Sequence, residues 1–220
     1  MTEEPAPAPA PPAFDAAFQD QLRELFLWRR DVRRFRTTPL PDGLPRRLIE
    51  QAMLAPSVGN SQPWRFVLVD APERRTAMRD HFEACNREAL AGYAGERAQI
   101  YAGLKLSGLD RAPVQVAVFC DEDTGAGHGL GSRTMPETLR YSVVAAVQTL
   151  WLAARAAGVG MGWVSILKPE TVHALLDVPA HWHLVAYLCL GYPEEEHTDP
   201  ELVRAGWQDR IAPGDLILKR

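Results

Sequence analysis

One segment constrains the fold of this 220-residue chain more than any other: residues from Thr138 to Ala157 are apolar almost all round, and Gly158 follows them. A helix at the protein surface keeps one polar face, so this pattern predicts a helix that is buried on most of its faces. Pro136 stands where an early helical residue is favoured. Such a helix suits a core that two subunits share.

The composition is that of a folded globular protein. Hydrophobic residues make up 46% of the chain and charged residues 24%, which excludes the disordered and fibrous classes. A single domain over residues 14–220 is long enough to bury a sizeable core without disulfides or a structural metal. The net charge of −4 provides no long-range attraction for nucleic acid or an anionic membrane, so neither partner is expected. An anionic ligand must be met by local basic residues.

The ends and the cysteines add weaker constraints. Residues 1–13 are rich in Ala and Pro without the regions of a signal peptide, which predicts a disordered tail. The apolar stretch at 143–164 contains Gln148 and Arg155 and is a poor membrane span. The chain has three widely spaced cysteines: Cys85, Cys120 and Cys189. This number and spacing argue against a disulfide framework and a zinc site, and indicate a reducing cytoplasm.

Strands and helices are both expected, without strict βαβ alternation. Apolar runs of strand length cover residues 64–69, 114–120, 159–167 and 183–190. Helical spacing, beyond the long segment, covers residues 14–28, 44–54, 72–90 and 169–178, with a further amphipathic segment reaching about residue 109. This order predicts an α+β layer architecture. The glycines of 121–133 lack GxGxxG spacing after a strand and predict a loop.

Two segments carry candidate chemistry. Five arginines lie between Arg29 and Arg36, and the guanidinium fork matches phosphate oxygens; the alternative is a solvated helix end that complements the helix dipole. Residues 55–64 form a loop whose Ser and Asn side chains can meet the polar edge of a planar heterocycle; the alternative is a self-capped structural turn. Either segment alone is a weak signal.

Together, the RRxVRxF segment and the APSxxNxQPW segment about two dozen residues later resemble the signature of the nitroreductase family of FMN flavoproteins. The resemblance extends from about Phe18 to Arg210. It implies an α+β fold with a central, mainly antiparallel sheet flanked by helices, in an intertwined homodimer that builds each FMN site from both subunits.

The resemblance also implies the flavin-binding residues. The first segment would hold the phosphate and ribityl chain, and the second would approach the flavin from the partner subunit. A glycine after the long helix and a late phosphate contact in ELVRAGW complete the expected set, which is Arg29, Arg30, Asp31, Val32, Arg33, Pro56, Ser57, Asn60, Gly162 and Arg204.

One position departs from the common family pattern, because Asp31 stands where ordinary nitroreductases usually have Ser. Residues 135–167, 187–197 and 201–207 resemble one branch of the family closely. Members of that branch consume reduced FMN and O2 and release 5,6-dimethylbenzimidazole, the lower ligand of vitamin B12, and D-erythrose 4-phosphate. The resemblance therefore implies an oxidoreductase of cobalamin biosynthesis, with a separate flavin reductase supplying reduced FMN.

The catalytic residues that the branch implies are Asp31 and Ser165. The chemistry requires proton removal from a ribityl carbon or hydroxyl and stabilisation of oxygenated flavin, tasks that a carboxylate and a hydroxyl could divide. The alternatives are a structural ion pair for Asp31 and an ordinary strand residue for Ser165. No metal site is expected, because His181 and His183 lack a third ligand, and the acidic run at 194–196 is interpreted as a solvated turn.

Two other functions remain as alternatives. A conventional nitroreductase would keep its FMN and pass hydride from NAD(P)H to a quinone or nitro compound, and a non-catalytic flavin-binding protein would need neither Asp31 nor Ser165. Asp31 and the GMGWVSIL stretch favour flavin fragmentation.

The segment at 84–109 is the candidate lid over the flavin, because its helical pattern is interrupted by glycines at which hinge motion is easy.

Overall fold

The computed structural model describes residues 10–220. The four strands in this part of the chain are β1 (Trp64–Leu68), β2 (Val114–Asp121), β3 (Gly160–Val164) and β4 (Trp182–Gly191). The α-helices are α1 (Ala16–Trp28), α2 (Leu44–Ala52), α3 (Pro72–Leu90), α4 (Gly95–Gly103), α5 (Thr138–Ala156), α6 (Pro169–Leu176) and α7 (Glu201–Arg204). Short 3₁₀ turns cover Val58–Asn60, Ala126–Gly129 and Pro213–Asp215.

The strands form one sheet in the order β1-β2-β4-β3, and every neighbouring pair is antiparallel. This arrangement confirms the predicted α+β class with a central antiparallel sheet flanked by helices. The strands β2 and β4 are central, whereas β1 and β3 are the edges. The edge β3 matters most for function, because the arginine-rich segment after α1 lies against it.

Helices cover both faces of the sheet, which explains why its central strands are apolar without alternation. In β2, Val116 and Val118 belong to the core layer under α2 and α5. Ala117 and Phe119 belong to the layer that contains the buried residues of α3 and α6. A polar side chain inside such a strand needs buried partners. Gln115 of β2 donates through its side-chain amide to the Leu109 carbonyl at 3.0 Å and accepts from the Tyr187 hydroxyl at 2.8 Å.

The long apolar segment forms α5, as predicted, and packs against the sheet and α2. Val143, Val147 and Leu150 are completely buried. On its other side, Tyr141 and Val144 remain 55% and 41% exposed. One chain alone therefore leaves an apolar strip of this helix uncovered.

Some boundaries differ from the sequence prediction. The strand expected at 159–167 ends at Val164, because its ladder with β4 ends at the pair Val164–Tyr187. The helix expected to reach residue 54 ends at Ala52, and β4 begins at Trp182 and reaches Gly191. Residues 10–13 of the expected tail are exposed and irregular, and residues 1–9 lie outside the described part. Between residues 10 and 220, no helix has the length and apolar character needed to cross a bilayer.

Candidate active site

The arginine-rich segment leaves α1 at Arg29 and extends the sheet beyond its edge strand β3. Asp31 forms a parallel bridge with Met161, and the Val32 amide donates to the Met161 carbonyl at 3.0 Å. Further along, the Arg36 amide donates to the Tyr192 carbonyl at 2.8 Å. The segment is thus held by backbone bonds at both ends, which fixes where its side chains lie.

A glycine in β3 permits this close approach. A Cβ atom at Gly162 would lie 2.0 Å from the Val32 carbonyl oxygen and 3.5 Å from Asp31 Oδ1. A Cβ atom at Gly160 would lie 2.9 Å from Val32 Cγ2. Gly162, expected from the resemblance to lie at the flavin, therefore makes room for the backbone of the segment that carries Asp31.

The Asp31 carboxylate is held from two sides. Its Oδ1 accepts from the Trp163 amide at 2.9 Å. Its Oδ2 accepts from Arg33 Nε at 3.0 Å and from Arg33 Nη2 at 2.8 Å. The carboxylate is still 31% exposed and lines a surface cavity, so it is oriented by the protein and accessible to a ligand. Such a group can accept a proton from a bound molecule.

The neighbouring Arg30 offers an unused donor. Its Nη2 donates to the Phe26 carbonyl at 3.0 Å, whereas its buried Nε has no hydrogen-bond partner within residues 10–220. Burial, followed by the charges of Arg29 and Arg210, lowers the pKa of Arg30 below its ordinary value. Burial is also the main cause that lowers the pKa of Arg29; Arg210 adds to this lowering, and Asp31 opposes it.

Arg30 is therefore close to two other positive charges at the end of α1, those of Arg29 and Arg210. An orphaned guanidinium donor beside two other arginines is an environment that a phosphate group would satisfy. The residues present thus fit the phosphate end of FMN. Arg29 is further fixed by its position over the Trp151 ring, 4.8 Å from the centroid.

The C-terminal part contributes two arginines in different ways. Arg204, the expected late phosphate contact, lines the same cavity but donates through Nη1 to the carbonyl and to Oδ1 of Asp199, at 2.9 and 2.8 Å. The charge of Arg210 contributes to lowering the pKa of both Arg29 and Arg30. Sequence reasoning missed Arg210; its only signal is a basic residue three positions after the ELVRAGW segment.

The acidic run is not merely a solvated turn, which corrects the sequence interpretation. Glu195 and Glu196 line the same cavity, and each pairs with an arginine. Arg34 Nη1 lies 3.4 Å from a Glu195 oxygen and 2.7 Å from a Glu201 oxygen, and Arg155 donates to Glu196. These pairs close one wall of the cavity and leave Arg30 without such a partner.

The APSxxNxQPW loop lies elsewhere in the chain and does not line this cavity. The Val58 amide donates to Ser142 Oγ at 3.0 Å, and the Gln62 amide donates to Ser57 Oγ at 3.1 Å. Pro56 and Asn60 are exposed, and Asn60 has a positive φ of 53°. Within one chain, Pro56, Ser57 and Asn60 therefore do not meet Asp31. The family resemblance implies that they approach the flavin of the partner subunit instead.

Ser165 is an exposed residue directly after β3, so the alternative of an ordinary strand residue does not apply, and its catalytic role stays a prediction. It follows Trp163 by two positions, yet it does not line the cavity that contains Asp31. The two histidines pair with carboxylates: His181 Nε2 lies 3.6 Å from Asp121, and His183 Nε2 lies 3.3 Å from Glu122.

The candidate lid contains the end of α3 and all of α4, and aromatic contacts tie it to the C-terminal part. Tyr93 and Tyr101 stack with centroids 4.9 Å apart. Trp207 meets Tyr93 edge-on at 5.4 Å, and the Arg97 guanidinium lies over the Trp207 ring at 5.1 Å. The lid and the ELVRAGW segment therefore form one packed unit beside the cavity.

The chain is similar to characterised proteins along most of its length. The nitroreductase family model matches residues 26–192. A 5,6-dimethylbenzimidazole synthase of Rhodospirillum rubrum is 61% identical over 199 residues, covering 90% of this chain and 94% of that protein. Another of the same name, from Rhodobacter capsulatus, is 48% identical and covers 90% of this chain and 96% of that protein.

Solved structures agree with this relationship. A crystal structure of iodotyrosine deiodinase bound to FMN and 3-iodo-L-tyrosine matches with a TM-score of 0.68 at 26% identity, covering 80% of this chain and 91% of that one. A BluB-like flavoprotein from Clostridium difficile 630 shares the fold, with a TM-score of 0.67 at 20% identity, covering 90% and 98% of the two chains. The matched span and the identity to these relatives mean that the chain belongs to the nitroreductase family.

Proposed function

We propose that this chain is an enzyme that makes 5,6-dimethylbenzimidazole by oxygen-dependent fragmentation of reduced FMN, with D-erythrose 4-phosphate as the second product. FMN is thereby the substrate and is not regenerated. The relative from Rhodospirillum rubrum, which carries the name 5,6-dimethylbenzimidazole synthase, supports this function at 61% identity. The same function makes the chain an oxidoreductase of cobalamin biosynthesis.

One observation carries the proposal: an oriented, accessible carboxylate lies in the same cavity as an arginine with an unused donor. Asp31 is fixed by the Trp163 amide and by Arg33, and the buried Nε of Arg30 has no partner in the described residues. A substrate with a phosphate at one end and, a few bonds away, a C–H or O–H group that must lose its proton matches this pair. Reduced FMN is such a molecule.

The site residues divide into three roles. Arg29, Arg30 and a C-terminal arginine, Arg204 or Arg210, hold the phosphate. Asp31 accepts a proton from the ribityl chain, and Ser165 hydrogen-bonds the oxygenated ring system. Val32, Arg33 and Gly162 shape the segment that carries Asp31, and the partner subunit supplies the exposed loop with Pro56, Ser57 and Asn60.

The functional unit is a homodimer. Two observations support a site that two subunits complete. The strip of α5 at Tyr141 and Val144 is uncovered, and the APSxxNxQPW loop does not line the cavity of its own chain. A separate flavin reductase supplies reduced FMN. The reducing cytoplasm is the compartment that suits Cys85, Cys120 and Cys189, which are all free and buried.

The decisive experiment supplies dithionite-reduced FMN and air to the purified protein and analyses the products. We expect loss of the flavin absorbance, O2 consumption and 5,6-dimethylbenzimidazole. NADPH and oxidised FMN without a flavin reductase should support little turnover. Steady NADPH-driven reduction of a nitro compound, with intact bound FMN and no benzimidazole, would instead assign the chain to the conventional nitroreductases.

A further inference from the structure

We propose that Arg33 is a positioning residue for Asp31 and links it to the loop that follows α4, instead of serving as a ligand of the FMN phosphate. This inference rests on the proposed function, because it concerns how Asp31 is prepared for its role in flavin fragmentation. It differs from the role that the sequence resemblance implied, and it separates Arg33 from Arg30 within one segment.

Most of the Arg33 donors are already used inside the protein. Nε and Nη2 both donate to Asp31 Oδ2, and Nη1 donates to the Lys105 carbonyl at 3.2 Å. The side chain is only 13% exposed. Each of the three guanidinium nitrogens therefore makes a hydrogen bond inside the protein, and three of the five N–H donors are used. With the side chain largely buried, the two remaining N–H groups offer a phosphate little access.

Both oxygens of Asp31 are held by the protein. Because Arg33 holds Oδ2 while the Trp163 amide holds Oδ1, neither oxygen can rotate away without breaking a hydrogen bond. A carboxylate clamped in this way keeps one orientation towards the cavity. Preorganisation of this kind lowers the cost of reaching the reactive arrangement.

Arg33 also contacts the loop at 104–110. Lys105 uses its carbonyl for Arg33, while its ammonium group binds Asp110 at 2.8 Å. In the same loop, a Cβ atom at Gly108 would lie 2.2 Å from the Phe35 ring, so the loop packs directly on the Asp31 segment. Arg33 thus joins the Asp31 carboxylate to the loop at the end of the candidate lid.

Arg30 provides the contrast. Its Nε is buried and unpartnered in the described residues, so a phosphate can bind it at no cost in existing hydrogen bonds. The two arginines should consequently differ in what they control. Loss of Arg30 should weaken the binding of FMN, and loss of Arg33 should slow the reaction of bound FMN.

The test compares Arg33→Gln, Arg33→Lys and the control Arg36→Gln, which removes one charge from an exposed side chain of the same segment. The dissociation constants of FMN and riboflavin are measured by titration, and 5,6-dimethylbenzimidazole formation is measured at saturating reduced FMN. For Arg33→Gln we expect a loss of about tenfold or more in kcat, with the ratio of FMN to riboflavin affinity within about twofold of wild type. Arg33→Lys should recover part of kcat, because an ammonium can reach one carboxylate oxygen.

Two outcomes would overturn the inference. One is an Arg33→Gln variant with wild-type kcat at saturating flavin. The other is a selective loss of FMN affinity over riboflavin, which would make Arg33 a phosphate ligand. Circular dichroism and thermal unfolding of each variant identify a failure to fold, and Arg33→Lys then carries the test. If wild-type protein forms no benzimidazole, the proposed function fails, whereas the affinity ratio still reports on Arg33.

Discussion

Two arginines three positions apart in the sequence have different surroundings, and these surroundings determine what each can bind. Arg33 is satisfied by Asp31 and the Lys105 carbonyl, whereas Arg30 retains a buried donor without a partner in the described residues. An unsatisfied buried donor costs free energy, which a ligand recovers when it binds. Arg30 is therefore the residue that we propose as the main anchor for the phosphate.

We expect Arg30→Ala to weaken FMN binding by about 1.5–3 kcal/mol, because a charge-assisted hydrogen bond to phosphate is lost. Riboflavin, which has no phosphate, should bind nearly as it does to the wild type. Fluorescence titration with the two flavins measures the difference. An equal loss of affinity for both would mean that Arg30 supports the fold of the pocket and not the phosphate.

For Asp31→Asn, we expect flavin binding to persist while product formation is largely lost. The amide is nearly isosteric with the carboxylate but cannot accept a proton in the same way, and general-base catalysis contributes roughly 10²–10⁴ in rate. Product analysis with reduced FMN and air measures the effect. Normal yield of 5,6-dimethylbenzimidazole from this variant would remove Asp31 as the essential base.

At the scale of elements, the edge strand β3 presents the site. It pairs with β4 on one side and accepts the Asp31–Val32 segment on the other. The Val32 amide and the Trp163 amide connect the two across this edge. Close approach of two backbones requires a residue without a side chain, and Gly162 meets that need.

Gly162→Ala should therefore lower the free energy of unfolding by about 3 kcal/mol, because the new Cβ overlaps the Val32 carbonyl. Gly103→Ala is the matched control: nothing lies within 4 Å of the Cβ position at the end of α4, so the change should be neutral or stabilising by up to about 1 kcal/mol. Urea unfolding of both variants measures the effects. Equal stability of the two variants would contradict the proposed packing.

The pair between Glu122, after β2, and Arg140, in α5, should make stability dependent on pH. Its hydrogen bond is the largest cause that lowers the pKa of Glu122 below the ordinary value of 4.5. A lowered pKa stabilises the folded state above that ordinary value, and the contribution is lost as the pH falls through the folded pKa. Because the pair is partly exposed, Glu122→Gln should remove less than about 1 kcal/mol, measured as a smaller difference in unfolding free energy between pH 6 and pH 3.5.

At the scale of the whole molecule, one chain has the cavity but not the complete set of expected site residues. The APSxxNxQPW loop is braced on α5 through Ser142 and lies outside the cavity. The same helix exposes Tyr141 and Val144. A second copy packed on this strip would bury apolar surface and bring its own loop towards the flavin of the first.

We expect the protein to sediment as a dimer. Val144→Asp should shift it towards monomer and weaken FMN binding, because a charge is placed in the apolar strip. Thr76→Asp adds the same charge at an exposed position of α3 and should remain dimeric. Sedimentation velocity with flavin titration measures both. A stable Val144→Asp monomer with unchanged FMN affinity would exclude a site shared through this face.

Much of the fold follows from the sequence alone, because burial on both sheet faces leaves a direct mark on composition. The apolar run at 114–120 predicted a strand, and the apolar segment at 138–157 predicted a helix that is buried on most of its faces; they form β2 and α5. The RRxVRxF and APSxxNxQPW motifs predicted the family, because the residues of each motif lie close together in the chain. Local spacing is sufficient for features of this kind.

The partners of the charged residues were decided only by the tertiary structure. No periodicity connects Arg33 with the Lys105 carbonyl, Asp31 with the Trp163 amide or Arg34 with Glu201, because each pair is brought together by the path of the chain around β3. The sequence therefore determined which chemical groups the site contains, and the fold determined which are already satisfied and which remain free for a ligand.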